Sequence, residues 1–276
     1  MFNQSFVSVY ITTKNRQVLL KRAIESVLAQ TWENMEIIVC DDASSDGTIK
    51  LLEEFATKYE NFRWLQNEKS LGACVSRNKA ISLAKGEFIT GLDDDDYFIP
   101  NRLALLMATY KDEYAFVCST FFRKTDKETR VVKDGIGKLS LSDLLHYNKI
   151  GNQVLTRTDR LRQLGGFDES LPAFQDYDMW IRLLKEFGCS YKINDPLYVT
   201  DISHTNDRIS ANSDSVKNGH LMFMKKHKSL MSPRHLNSMQ LLSQVVNNQP
   251  LSLWSLIKLC NSGNYKSILN SLFKRN

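Results

Sequence analysis

The chain has 276 residues, with 36 Lys and Arg against 31 Asp and Glu, a formal charge of +5 and 42% apolar residues. This balance fits a globular protein with a real core and excludes a disordered, collagen-like or disulfide-scaffold chain. The five cysteines, Cys40, Cys74, Cys118, Cys189 and Cys260, stand at least 34 residues apart, which removes C-x-x-C zinc and redox signatures and fits a reducing compartment.

The opening MFNQSFVSVYITTKNR lacks a basic stretch followed by a long apolar run, and no run of about 18 apolar residues follows anywhere. The expectation is a cytoplasmic protein without signal peptide or membrane span. Residues 6–11 and 35–40 (FVSVYI, MEIIVC) are short apolar runs that read as buried parallel strands. Between them, Leu19, Leu20, Ala23, Ile24, Val27 and Leu28 recur at helical spacing, so the segment is a βαβ unit. The spacing predicts further helices over 48–58, capped by Asp46 or Thr48, and over 73–84, stopped by Gly86. Strands follow at 62–65 and 87–92, then a helix over 101–111 and a strand over 114–122. Beyond residue 123 the pattern loosens. Edge strands at 130–133 and 152–156, a turn at Gly165-Gly166, a helix over 175–187 and a strand after Pro196 are expected. Two helical regions, separated near Pro250, close the chain. Alternating elements of this kind predict an α/β sheet sandwiched by helices.

Charge divides the chain. Residues 215–276 hold nine Lys or Arg and no Asp or Glu, leaving 27 basic and 31 acidic residues in the first 214. Tyr265, Ile268, Leu269, Leu272 and Phe273 are at helical spacing beside Lys266, Lys274 and Arg275. Leu253, Trp254, Leu256 and Ile257 form a second apolar group. The tail reads either as helices packed on the body or as a basic amphipathic surface on an anionic membrane. No motif supports nucleic-acid binding.

Four groups of residues carry candidate chemistry. Asp93-Asp94-Asp95-Asp96 follows an apolar strand, and four confined carboxylates need a cation. Hard oxygen ligands suit Mg²⁺ or Mn²⁺ with substrate phosphates. The stretch Asp41 to Thr48 places Asp42, Ser44, Asp46, Gly47 and Glu53 at calcium-loop positions, but a strand enters it where that loop needs a helix. A carboxylate there can instead bond a nucleobase or ribose. Gly72 opens a helix whose Arg77 and Lys79 reach carboxylates or phosphates. Asp176 and Asp178 share the first turn of a helix, where either can be a cap and the surplus one a general base. His204, in HTNDRIS, is a further candidate ligand.

These pieces, VSVYITTKNR, SVLAQT, EIIVCDDASSDGT, LGACVSRNKAI, AKGEFITGLDDDDYFIPNRL, LGGFDESL and QDYDMWIRL, resemble glycosyltransferase family 2, the inverting GT-A enzymes, in family order over roughly residues 5–210. The resemblance implies a GT-A fold, a Rossmann-like mostly parallel sheet flanked by helices, with a helical C-terminal extension. Residues 1–214 would be the catalytic domain, with the nucleotide-sugar in 1–122 and the acceptor in 123–214. Residues 215–276 would be the basic extension.

It further implies a UDP-sugar donor, with Thr12, Thr13, Asn15, Asp41, Asp42 and Gly72 around the nucleoside. Asp93, Asp94 and Asp95 would be the D-x-D motif, with Asp95, Asp93 and His204 at Mn²⁺ or Mg²⁺, and Arg77 braces that loop or the diphosphate. Asp176 would be the base, with Asp178 as fallback, since the family's E-D pair reads Gln175-Asp176. The acceptor would be a glycan on a lipid carrier, in O-antigen or capsule assembly, and the product β-linked. The acceptor side would involve Gly151, Asn152, Phe167 and Trp180, although Trp180 is also at core spacing. A sugar nucleotidyltransferase and a calcium- or carbohydrate-binding module are the alternatives. The first lacks its Gly-rich phosphate loop here, and a dehydrogenase lacks its G-x-G-x-x-G.

Overall fold

The computed structural model describes residues 5–203, 213–247, 249–250 and 252–265. In chain order the first elements are β1 (Val7–Thr13), α1 (Gln17–Leu28), β2 (Met35–Asp41), α2 (Thr48–Lys58), β3 (Phe62–Gln66), α3 (Ala73–Leu83), β4 (Phe88–Asp93), β5 (Tyr97–Phe98) and α4 (Arg102–Thr109). They continue with β6 (Val117–Lys124), β7 (Thr129–Val132), β8 (Gly137–Leu139), α5 (Leu141–Leu144), β9 (Leu155–Arg157), α6 (Thr158–Gln163), α7 (Gln175–Phe187) and β10 (Ser190–Asp201). Three helices close the described chain: α8 (Ser213–His227), α9 (Pro233–Val246) and α10 (Leu253–Leu259).

One sheet runs β3-β2-β1-β4-β9-β6-β10-β5, with β7 on β6 and β8 on β10. The β1–β2, β1–β4, β2–β3 and β6–β10 pairs are parallel. The short β9 enters antiparallel between β4 and β6. The expected α/β architecture is therefore present.

Alternation along the strands sorts the core into two layers. Val7, Val9, Ile11, Ile37 and Val39 pack under α1, α2 and α4. Tyr10, Ile38, Cys40 and Ile89 pack on the other face with α3 and with Trp180 of α7. Phe223 of α8 and Met239 of α9 are buried in this second layer. The break in charge at residue 214 is thus no break in the core.

Two local readings change. Gly86 does not stop α3, which ends at Leu83 with Ala84 already in an extended conformation. Its missing side chain lets the backbone approach β1, because a Cβ there would lie 2.4 Å from the Ser8 nitrogen. The strand expected only after Pro196 starts at Ser190 and carries Pro196 within it, at a register shift against β6 where the ladder is already broken.

Candidate active site

Parallel pairing brings the carboxyl ends of β1, β2, β3 and β4 to one edge, with Thr13 opposite Asp41 and Thr12 opposite Asp93. Open α/β sheets bind ligands there. A cavity of about 1150 Å³ opens at this edge, lined on one side by Thr12, Thr13, Asn15, Asp42 and Gly72, and on the other by Phe174, Asp176, Val216 and Leu242. It is slightly larger than the roughly 300–1,000 Å³ of a drug-sized site, so there is room for more than one substrate group.

The acidic turn spreads its four carboxylates over several partners, with Arg16 shared by Asp94 and Asp95. Asp93 accepts from Arg77 Nη2 at 2.9 Å and from Asn152 Nδ2 at 3.2 Å. Asp94 accepts from Thr13 Oγ1 at 2.8 Å and Arg16 Nη1 at 2.9 Å. Asp95 lies 3.3 Å from the same Arg16 nitrogen. Asp96 is fully buried and accepts from the Asp201 backbone N–H at 3.0 Å. Burial pushes Asp94 up to about 6, against the pull of Arg16 and Thr13.

Asp93, Asp95 and Asp96 each offer an oxygen within 4.8 Å of one another. This all-carboxylate set fits a hard divalent cation such as Mn²⁺ or Mg²⁺, which keeps open positions for substrate oxygens. Asp96, which follows the expected D-x-D triplet, is thus a further candidate ligand. His204 lies outside the described residues.

Around the end of β2 the two adjacent aspartates have different surroundings. Asp42 lines the cavity and accepts from Asn67 Nδ2 (2.7 Å), Ser70 Oγ (2.7 Å), Leu71 N (2.8 Å) and Gly72 N (3.0 Å). Burial pushes its pKa up, but these donors outweigh it and hold the carboxyl below its ordinary range. Asp42 therefore shapes the 67–72 loop that walls the site. Asp41 is completely buried, accepts from Ser44 N at 3.0 Å and lies outside the cavity lining.

Asn15, at φ 54°, accepts from Ser45 N at 2.7 Å and so ties the loops after β1 and β2 together. Gly72 has φ 90° and open space where a Cβ would stand, so the backbone conformation and not a close contact requires the glycine there. The calcium-loop arrangement does not form. Asp42 is taken by the 67–72 loop, while Asp46 accepts from Thr48 N and Gln17 N.

Arg77 links the acidic turn to α7. Its guanidinium donates to Asp93 and, at 2.9 Å, to Asp176 Oδ1, and lies 5.1 Å from the centre of the Phe167 ring. Burial raises the Asp176 pKa to about 6; Arg77 pulls it down and Asp93 adds to the rise. Asp178, two residues on, faces away from the cavity. It is fully buried and bonded to Arg182 (2.8 Å), Lys226 (2.7 Å) and His227 (2.8 Å). A rotation of about 200° separates positions two apart on a helix, and that explains the two fates.

Of the acceptor-side residues, Asn152 lines the cavity, whereas Phe167 and Trp180 are buried in the core layer. Trp180 Nε1 donates to the Gly151 carbonyl at 3.0 Å. Sequence reading missed Arg16, Arg123, Tyr147, Asn148, Phe174, Val216 and Leu242, all of which line the cavity. Arg16 stood beside Asn15 in a quoted motif. The others fall in the aperiodic middle and in the tail, where no local signal marks them.

Comparison with known proteins decides the family. The profile described as Glycosyl transferase family 2 matches residues 8–166, more than half of the chain. The chain belongs to glycosyl transferase family 2. It is a glycosyltransferase, and the nucleotidyltransferase and binding-module alternatives fall.

Among relatives, WcaA of Escherichia coli K12, named as a glycosyl transferase of colanic acid biosynthesis, is 36% identical over 83% of both chains. The Escherichia coli UDP-Glc:alpha-D-GlcNAc-diphosphoundecaprenol beta-1,3-glucosyltransferase WfgD is 30% identical over 67% of this chain and 72% of its own. In fold, Staphylococcus aureus TarS 1–349 with UDP-GlcNAc superposes with a TM-score of 0.66 at 19% identity, covering 87% of this chain and 74% of TarS. The Pyrobaculum calidifontis mannosyltransferase PcManGT with GDP-Man and Mn²⁺ gives 0.63 at 15%, covering 87% and 69%. These two confirm the GT-A architecture.

Proposed function

We propose that the enzyme moves a sugar from a UDP-sugar, with inversion, to a hydroxyl of a lipid-linked glycan during surface-polysaccharide assembly. The observation that carries this is the placement of Asp176. It is a cavity carboxylate on α7, outside the acidic cluster, and one guanidinium, Arg77, joins the two. Donor phosphates at the acidic turn then leave the sugar between that turn and α7, with a base facing the acceptor. A WfgD-like relative suggests UDP as the nucleotide and a diphospholipid acceptor; PcManGT takes GDP-Man on the same fold, so base selection rests with local residues.

Thr12, Thr13, Asn15 and the 67–72 loop held by Asp42 cradle the nucleoside. Arg16, Arg77 and Arg123 line the cavity and face the diphosphate as negative charge gathers on it. Asp95, with Asp93 and Asp96, would hold Mn²⁺ or Mg²⁺, which when bound supplies Lewis-acid stabilisation of the leaving diphosphate. The acceptor oxygen forms the new bond to the anomeric carbon, the bond from that carbon to the UDP oxygen breaks, and the hydroxyl proton goes to Asp176. One displacement converts an α-linked donor into a β-linked product.

Among the described residues no helix is long and apolar enough to cross a membrane. α8 exposes Leu221 (66%) and Lys225, and Lys228 just past its end is exposed as well, which supports peripheral contact with an anionic membrane on its cytoplasmic side. The test is product analysis with UDP-Glc, UDP-Gal, UDP-GlcNAc and UDP-GalNAc, Mn²⁺, and a short-chain GlcNAc-α-diphospholipid. A β-linked disaccharide supports the reading. Transfer from GDP-sugars alone overturns the UDP assignment, and an α-linked product overturns inversion.

A further inference from the structure

The base-bearing helix is held from behind by the basic tail. One face of α8, made by Gly219, His220, Phe223, Lys226 and His227, lies along the first turn of α7 and the segment before it. Those positions recur at the three- and four-residue spacing of a single helical stripe. Phe223 stacks on Tyr177 with ring centres 4.5 Å apart and meets Phe174 at 5.6 Å; His220 meets Phe174 at 5.7 Å. Gly219 allows the close approach, since a Cβ would sit 2.8 Å from that of Ala173.

Charge completes the attachment. Lys226 Nζ bridges Asp168 Oδ2 at 2.6 Å and Asp178 Oδ1 at 2.7 Å, and His227 Nε2 donates to Asp178 Oδ1 at 2.8 Å. The other Asp178 oxygen accepts from Arg182, which also donates to the carbonyls of Leu164 and Gly166. Phe174, just before α7, sits at φ 67° and ψ 15°. A bulky side chain adopts that left-handed conformation only where its surroundings impose it. The Phe174 ring meets His220 and Phe223 of α8 and Tyr177 of α7. Residues 173, 174, 177 and 178, which flank Asp176 on both sides, all touch α8, while Asp176 directs its carboxylate to Arg77 at the cavity.

We propose that α8 is the positioning element for Asp176, with Lys226, His227 and Phe223 as positioning residues that fix the first turn of α7 and so the reach of the base. This rests on the reading of Asp176 as the base. It gives the basic segment beyond the family match a role in the reaction. Misplacing a reacting group by about 1 Å can lower a rate about 10²-fold.

The test compares wild type with Lys226→Gln, His227→Gln and Lys226→Arg by three readouts: amide exchange over 173–180, UDP affinity with Mn²⁺ by calorimetry, and kcat from UDP release with the UDP-sugars above. The expected result is at least tenfold faster exchange over 173–180 in both Gln variants, a UDP dissociation constant within twofold of wild type, and at least tenfold lower kcat. Lys226→Arg restores most of the kcat. Unchanged exchange in both Gln variants overturns the inference whatever the activity. So does a kcat loss matched by an equal loss of UDP affinity, which would mark general loosening. If wild type releases no UDP from any donor, the donor assignment fails instead, and the exchange measurement still decides the role of α8.

Discussion

Replacing Asp176 with Asn removes a proton acceptor and keeps its size. The Arg77 contact at 2.9 Å can persist to the amide oxygen, and Arg77 keeps Asp93, so the donor half of the site is little disturbed. General-base assistance is worth roughly 10²–10⁴-fold, about 3–5 kcal/mol of barrier, and kcat of Asp176→Asn is expected to fall by that factor with UDP affinity within twofold. The pH dependence follows from burial, which raises the Asp176 pKa to about 6. The base works deprotonated, so wild-type kcat at saturating donor and Mn²⁺ falls as the pH drops through that value. At pH 5 only about a tenth of such a group is ionised, against about nine-tenths of an ordinary carboxylate near 4. The assay is UDP release between pH 5 and 8 for both proteins. A flat wild-type profile down to pH 5, or an Asn variant at the wild-type rate, refutes the assignment. Asp178 does not replace it, because that carboxylate is fully buried among Arg182, Lys226 and His227.

Asp95→Ala is expected to abolish Mn²⁺-dependent UDP binding in calorimetry while leaving the melting temperature within a few degrees; retained metal-dependent binding shifts the role to Asp93 and Asp96. Asp42→Asn loses charge-assisted bonds to Leu71 N and Gly72 N, and should destabilise the fold by about 3 kcal/mol, read as a melting temperature lower by about 5 °C. Because the Asp42 pKa is lowered on folding, its contribution is full above the ordinary carboxylate range and is lost as the pH falls through the folded value. The variant's deficit should therefore shrink in acid, and a deficit constant from pH 7 to 3 contradicts this. Gly166→Ala forces φ +75° on a side chain and places a Cβ 2.3 Å from Asn78 Oδ1, which otherwise accepts from Phe167 N at 2.7 Å. About 2–4 kcal/mol of stability is lost, and an unchanged denaturant midpoint refutes the account.

Much of this site was legible from periodicity. α2 and α7 start and end where their apolar spacing starts and ends, and the strand that leads into four aspartates places them at the carboxyl edge of the sheet. What escaped is of two kinds. β8 and α5 are three and four residues long, too short to show a period, and are fixed by their neighbours; the strand expected at the edge over 152–156 is the short β9, which lies inside the sheet between β4 and β6. Partners distant in sequence escaped as well. Asp41 and Asp42 are adjacent, but side-chain direction alternates at the end of β2, sending one inward and one toward residues 67–72. Asp176 and Asp178 differ for the corresponding helical reason, and a helical projection could have separated them. That Asp178 would meet Lys226 and His227 had no local signature, because tertiary packing alone brings α8 to α7.

The charge pattern that divided the sequence takes a different meaning in the fold. The tail is basic, yet its Lys226 and His227 are turned onto Asp168 and Asp178 of the acidic body, and their neighbour Phe223 is fully buried. On the other side of α7, Arg16 and Arg77 meet the acidic turn, and Arg77 is shared between Asp93 and Asp176. At that turn burial raises the Asp94 pKa, and the neighbouring Asp95 charge adds a smaller part. On the proposed reading a nucleoside diphosphate would bring more negative charge to the same place, and a divalent cation would serve as its counter-charge. The first turn of α7 thus stands between two compensated fields. Arg77 holds its cavity side and α8 its core side, and a carboxylate fixed in this way can stay close to a sugar without being drawn into the acidic cluster.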